Sequence, residues 1–179
     1  MLCLENCDFM SHKKSAIPAP SFKNLFKHPA LILGFGFGSG LIRPGPGTWG
    51  TLLGTLLFIP VLMWSELAAW LLFILSVIFG AWICGKAAEI IGVHDHGGIV
   101  WDEFSGIWLV LLLLPEQTPL MWVLAFVVFR VLDILKPWPI NWADSKVDGG
   151  LGIMLDDLLA GFMAIGIIWA MNSTFNLLF

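Results

Sequence analysis

Leu67-Ala-Ala-Trp-Leu-Leu-Phe-Ile-Leu-Ser-Val-Ile-Phe-Gly-Ala-Trp-Ile-Cys84 contains no charged side chain. Such a run suits a bilayer, because a helix closes its own backbone hydrogen bonds where lipid offers none. Four more apolar stretches accompany it, at about Thr48–Trp64, Phe104–Leu114, Leu120–Leu135 and Ile153–Met171. The whole composition agrees. Of 179 residues 58% are hydrophobic and 12% charged, and the mean hydropathy is +0.88. A soluble domain carries about 25% charged residues. The expectation from composition is an integral membrane protein with about 4–5 apolar helices. A full span needs about 20 residues, so the third stretch is too short to cross alone. A three- or four-span variant with that stretch re-entrant stays open. Pro115 and Pro119 bound a turn between the third and fourth stretches, since a residue before proline avoids the helical region.

Residues 1–30 read as a polar N-terminal tail on the cytoplasmic side, carrying Lys13, Lys14, Lys23 and Lys27. No apolar segment of the kind found in cleavable signals follows them closely. A short amphipathic helix is expected around Ser21–Ala30. Residues 31–179 then form one helical membrane domain. The net charge of −4 argues against a nucleic-acid partner. Cys3, Cys7 and Cys84 have neither zinc-ligand spacing nor the pattern of a disulfide framework. No Lys or Arg falls in Ser65–Glu66, in Pro115–Pro119 or after Lys146. The positive-inside rule therefore predicts an inward N-terminus and, with five crossings, an outward C-terminus. It also gathers the segments Gly34–Thr48, Lys86–Glu103 and Lys136–Gly152 at one membrane face, the cytoplasmic one.

Those segments hold the polar chemistry. Gly34-Phe-Gly-Phe-Gly-Ser-Gly-Leu-Ile-Arg-Pro-Gly-Pro-Gly-Thr48 leads into a helix. Its glycines and the helix N-terminus suit an anion, with Arg43 supplying charge and Thr48 expected as N-cap. It is not a Walker A loop, and tight packing through Gly50 and Gly54 is the plainer alternative. Gly92-Val-His-Asp-His-Gly-Gly-Ile-Val-Trp-Asp-Glu103 concentrates His94, Asp95, His96, Asp102 and Glu103 in an apolar chain. Ionisable groups at a membrane boundary are costly without a purpose. The carboxylates suit hard Mg²⁺ and the imidazoles suit proton relay, against the alternative of a solvated loop whose acids favour a helix N-terminus. Arg130 and Asp133 lie three apart on one helix face, and Lys136 follows. Arg130 reads either as a cation for phosphate or as half of a structural pair with Asp133, and Asp133 and Lys136 read as functional groups. Asp156 and Asp157 are adjacent in an apolar helix, where two carboxylates repel unless a cation joins them.

Together the strings GFGSGLIRPGPGTWGT, GVHDHGGIVWDEFSG, RVLDILKPWPINWAD and DGGLGIMLDDLLAG resemble the phosphatidylglycerophosphatase A family, over roughly residues 30–171. The resemblance implies an all-α fold, a compact multi-helix bundle, and a multi-pass enzyme of the bacterial inner membrane that converts phosphatidylglycerophosphate into phosphatidylglycerol with Mg²⁺. On that footing Asp102, Glu103, Asp156 and Asp157 are the expected metal ligands. Arg43, Thr48, Arg130 and Lys136 are the expected phosphate contacts, and His94, Asp95, His96 and Asp133 the expected catalytic groups. A homo-oligomer is left open.

Rival chemistries lack their own requirements. A cysteine phosphatase needs Cys-x₅-Arg, but Ile90 and Lys13 stand where Cys84 and Cys7 would need arginine. No Asp-x-Asp nucleophile signature is present. The Lys-x₆-Arg-Pro string of histidine lipid phosphatases has Gly36 at its lysine position. Direct attack by water is the simpler expectation. A CDP-alcohol phosphotransferase needs Asp-Gly-x₂-Ala-Arg, but Gly152-Ile153 follows Asp148-Gly149. An ion transporter would carry its acids at mid-span, whereas here they gather near helix ends.

Overall fold

The computed structural model describes residues 20, 22–93 and 96–178. Among them every regular element is helical: α1 (Phe22–Leu25), α2 (Pro29–Gly34), a 3-10 segment (Gly36–Leu41), α3 (Pro46–Trp64), α4 (Glu66–Ile91), α5 (Trp101–Leu112), α6 (Pro119–Leu135), α7 (Ile140–Lys146) and α8 (Gly149–Leu178). Ser65 separates α3 from α4 and caps the latter by accepting from the Ala68 N–H at 3.3 Å. Thr118 does the same for α6 through Met121. The helix expected around Ser21–Ala30 is broken in two. Pro29 disfavours a helical His28, which is extended at φ −137°, ψ 120°.

Among the described residues three helices are long and apolar enough to cross a membrane: α3, α4 and the Gly149–Thr174 part of α8. The expectation of about 4–5 such helices therefore falls to three. The physical reason lies in α5, whose 12 residues rise only about 18 Å. Every residue from Glu103 to Leu112 is buried, because α3, α4, α6 and α8 all pack around it. A helix enclosed by protein has no lipid thickness to match. The 17 residues of α6 reach about 26 Å, short of the ~30 Å hydrocarbon core. One side of α6 is nonetheless built for lipid: Leu120, Val123, Val127, Val131 and Ile134 are exposed, while Ala125, Phe129 and Leu132 face inward.

Small residues let α3 lie close to α5. A side chain at Gly50 would meet Val100, and one at Gly54 would meet Phe104 at 3.0 Å. Nearby, Trp108 stacks on Phe58 at 4.9 Å and donates its indole N–H to the Gly54 carbonyl at 2.9 Å. A buried tryptophan keeps its polar handle satisfied in this way. A second core cluster joins Leu25, Leu31 and Phe35 to Cys84 and Ala87 of α4. Gly47 at the start of α3 borders Glu103 at the start of α5 and Arg130 toward the end of α6, and Gly150 at the start of α8 packs against Ala81 and Gly85 in the second half of α4.

Candidate active site

The first turn of α5 carries Asp102 and Glu103, a favourable place for acids beside free N–H groups. The Val100 N–H before it bonds the Gly34 carbonyl at 2.8 Å and fixes its start. Asp157 arrives from α8. One carboxylate oxygen each from Asp102, Glu103 and Asp157 lies within 4.8 Å of the others, with Glu103 and Asp157 buried and Asp102 nearly so. Oxygens Oδ1 of Asp102 and Oε2 of Glu103 are buried and have no hydrogen-bond partner. Buried acceptors left this way cost free energy. Three convergent carboxylates with unsatisfied oxygens are the donor set of a hard divalent cation. The cluster is able to bind a metal ion.

Asp156 does not join that group. Successive residues of a helix point about 100° apart, so Asp156 turns toward Lys136 at 2.5 Å. Lys136 also reaches Asp144 of α7 at 2.7 Å. It closes α6 in the left-handed region at φ 42°, ψ 57°, an uncommon posture for a residue with a side chain. Burial works against its charge, but Asp144 and Asp156 outweigh it and hold the ammonium well above the ordinary lysine range. Lys136 is therefore a fixed cation at neutral pH.

Arg130 supplies the second cation. Its Nη1 reaches Asp133 at 2.5 Å and Glu103 at 3.8 Å, and donates to the Thr51 hydroxyl at 3.3 Å. Thr51 in turn donates to the Gly47 carbonyl at 2.9 Å. A side chain at Gly47 would run into Glu103 Oε1 and lie 3.1 Å from the Arg130 guanidinium. The first turn of α3 thus borders both charges.

The remaining expected residues lie further out. Arg43 and Thr48 are exposed. Thr48 is not the N-cap of α3: Gly45 holds that position in a left-handed conformation, φ 72°, and Thr48 lies inside the first turn. The Gly-Pro-Gly sequence starts the helix earlier than an N-cap at Thr48 requires. His96 is buried, with Nδ1 accepting from the Gly98 N–H at 3.1 Å and its ring 5.6 Å from Phe35. It is outside the three-carboxylate group. His94 and Asp95 fall outside the described residues. Where Gly40 meets Gly98, a side chain at Gly40 would collide with the Gly98 carbonyl, so here a glycine of the loop serves backbone packing. Thr51 and Asp144 were missed by the sequence reading. The signal for Thr51 is a hydroxyl one turn after Gly47 in an apolar helix. Asp144 sits in a polar segment that reads as solvated.

The phosphatidylglycerophosphatase A family profile matches residues 32–172. A phosphatidylglycerophosphatase A of Haemophilus influenzae is 46% identical over 147 residues, 81% of this chain and 90% of that protein. That of Escherichia coli K12 is 45% identical over 148 residues, 79% of this chain and 83% of that protein. A Bacteroides thetaiotaomicron protein provisionally named phosphatidylinositol-3-phosphatase is 35% identical over 141 residues, 73% of this chain and 86% of that protein. No solved structure matches the chain. With a profile match over most of its length and two relatives above 40% identity, the chain belongs to the phosphatidylglycerophosphatase A family.

Proposed function

We propose that this protein is a Mg²⁺-dependent lipid phosphatase of the bacterial inner membrane, hydrolysing phosphatidylglycerophosphate to phosphatidylglycerol and inorganic phosphate. The observation that carries the reading is the Asp102–Glu103–Asp157 cluster, with orphaned carboxylate oxygens, beside Arg130 and Lys136. Mg²⁺ held by those carboxylates would polarise a phosphoryl oxygen as a Lewis acid. The charge on a transferring phosphoryl group spreads over its oxygens, so fixed cations are the main need. Arg130 and Lys136 meet that need from α6, and Arg43 and Thr48 approach the headgroup from the start of α3. Asp156 and Asp144 hold Lys136 in place. Water attacks phosphorus as the bond to the glycerol oxygen breaks; one of His94, Asp95, His96 and Asp133 takes the water's proton, and the glycerol oxygen leaves as the alcohol by taking up that proton in turn.

Purified protein in detergent is expected to release phosphate from phosphatidylglycerophosphate with Mg²⁺ and to stop with EDTA. Release from phosphatidylinositol 3-phosphate should be much slower. Equal rates on both lipids would reject the substrate, and full activity in EDTA would reject the metal. Hydrolysis in ¹⁸O-water at a chiral phosphate should proceed with inversion; retention would show a covalent phosphoenzyme.

The site is proposed to face the cytoplasm, on the strength of the Lys/Arg distribution. Cysteines placed singly at Gly97 and Glu116, with the native cysteines replaced, test it in intact cells. Gly97 is exposed with open space around it, and Glu116 is exposed in the loop between α5 and α6. An impermeant maleimide should label Glu116→Cys and spare Gly97→Cys. The opposite pattern would invert the topology.

A further inference from the structure

A groove of about 350 Å³ lies between the N-terminal helices and the outer flank of α3, bounded by Phe22, Phe37, Ile42, Trp49, Leu52 and Leu56. Its volume falls in the range of small-ligand sites. It offers almost no polar atom to an occupant. The Ser39 hydroxyl on its wall is turned back to the Gly36 carbonyl at 2.8 Å. The Trp49 indole N–H is likewise spent on the Pro44 carbonyl at 3.2 Å. A phosphate or a sugar would lose its hydration there without return, whereas a hydrocarbon chain loses nothing.

Two further features select the occupant. Leu52 and Leu56 lie one turn apart and continue onto the exposed apolar side of α3 with Leu57, so the groove opens onto the face this helix gives to lipid. The opposite side of the same turn carries Gly47 and Thr51, which border Glu103 and Arg130. A helix is about 10–12 Å across with its side chains, within the span of one phospholipid headgroup and its glycerol. Lys23, Lys27 and Arg43 are exposed around the same end, where an anionic headgroup is favoured.

We propose that this groove seats an acyl chain of the anionic phospholipid substrate, so that α3 is straddled by one lipid with its phosphate at the carboxylate cluster. The identity of the lipid rests on the phosphatase reading above. The test uses phosphatidylglycerophosphate with a diazirine in one acyl chain, photolysed with the purified protein in detergent and mapped by mass spectrometry. Adducts are expected on Phe37, Trp49, Leu52 and Leu56. They should fall about 10-fold in Leu52→Trp and in Leu56→Trp, which fill the groove, with KM for the unlabelled lipid rising by a similar factor at unchanged kcat. Leu75→Trp, on the exposed side of α4, should change neither. Helical circular dichroism of each variant confirms that it is folded. Adducts spread evenly over the outer faces of α4 and α6, or labelling indifferent to both filling substitutions, would overturn the proposal. Groove labelling by a protein that releases no phosphate from this lipid would keep the groove and reject the catalytic reading instead.

Discussion

Asp157→Asn is expected to lower phosphate release by roughly 10³-fold while leaving the protein at least as stable as before. The two effects have one cause. Asp157 is buried with Asp102 and Glu103, their oxygens within 4.8 Å of one another. Without a cation these charges repel in a setting of low dielectric. Asparagine keeps the shape and removes one charge, so the metal-free fold is relieved of strain. The same change removes a proposed metal ligand from the only three-carboxylate group among the described residues, and loss of preorganised charge stabilisation costs on the order of 10²–10³-fold per group. Two measurements check this. Phosphate release should collapse and should not return at high Mg²⁺. The rise in melting temperature that Mg²⁺ gives a protein binding it only when folded should disappear. Activity within about threefold of wild type, with that rise intact, would remove Asp157 from the metal site.

What the sequence made legible follows from how strongly each property is written locally. Apolar runs specify helices even where an ion pair or two acids interrupt them, so all five are expected and all are present. Their outer limits were less legible. α4 runs on to Ile91 and α8 begins at Gly149, because polar residues such as Lys86 and Asp148 stand at helix ends where water or a partner accepts them. The number of crossings depends on which helix is enclosed by the others, and no window of α5 alone records that Glu103 through Leu112 are all buried. The acids were visible as charges out of place in an apolar chain. Their division was not: Asp156 and Asp157 are neighbours in sequence but face Lys136 and Asp102 respectively, a consequence of helical rotation combined with tertiary packing. Thr51 escaped because its role is to hold Arg130, 79 residues away.

Lys136→Met should reduce turnover on the order of 10²-fold, as for other preorganised donors, and should also destabilise the fold. The destabilisation arises because the Asp156 side chain is only 9% exposed and its carboxylate loses its 2.5 Å partner. Removing one member of a fully buried pair costs about 3 kcal/mol, and the part-exposed Lys136 brings the expected cost below that. Two roles are thereby mixed in one substitution, and a second change separates them. In Lys136→Met/Asp156→Asn the buried unpaired charge is gone and only the exposed Asp144 lacks its cation, so thermal stability should return most of the way to wild type. If Lys136 serves only to pair with Asp156, activity should return with it. If its ammonium meets the phosphoryl oxygens, turnover stays depressed in the stable double variant, with kcat and kcat/KM falling together, since the lost interaction belongs to the transition state. Lys136→Arg offers a further check: the charge is kept but the fork must fit a site shaped for a point charge, so it should recover stability more completely than turnover. A double variant that is both stable and fully active would reduce Lys136 to a structural clasp between α6, α7 and α8, and would leave Arg130 and Arg43 as the cations on which phosphoryl transfer depends.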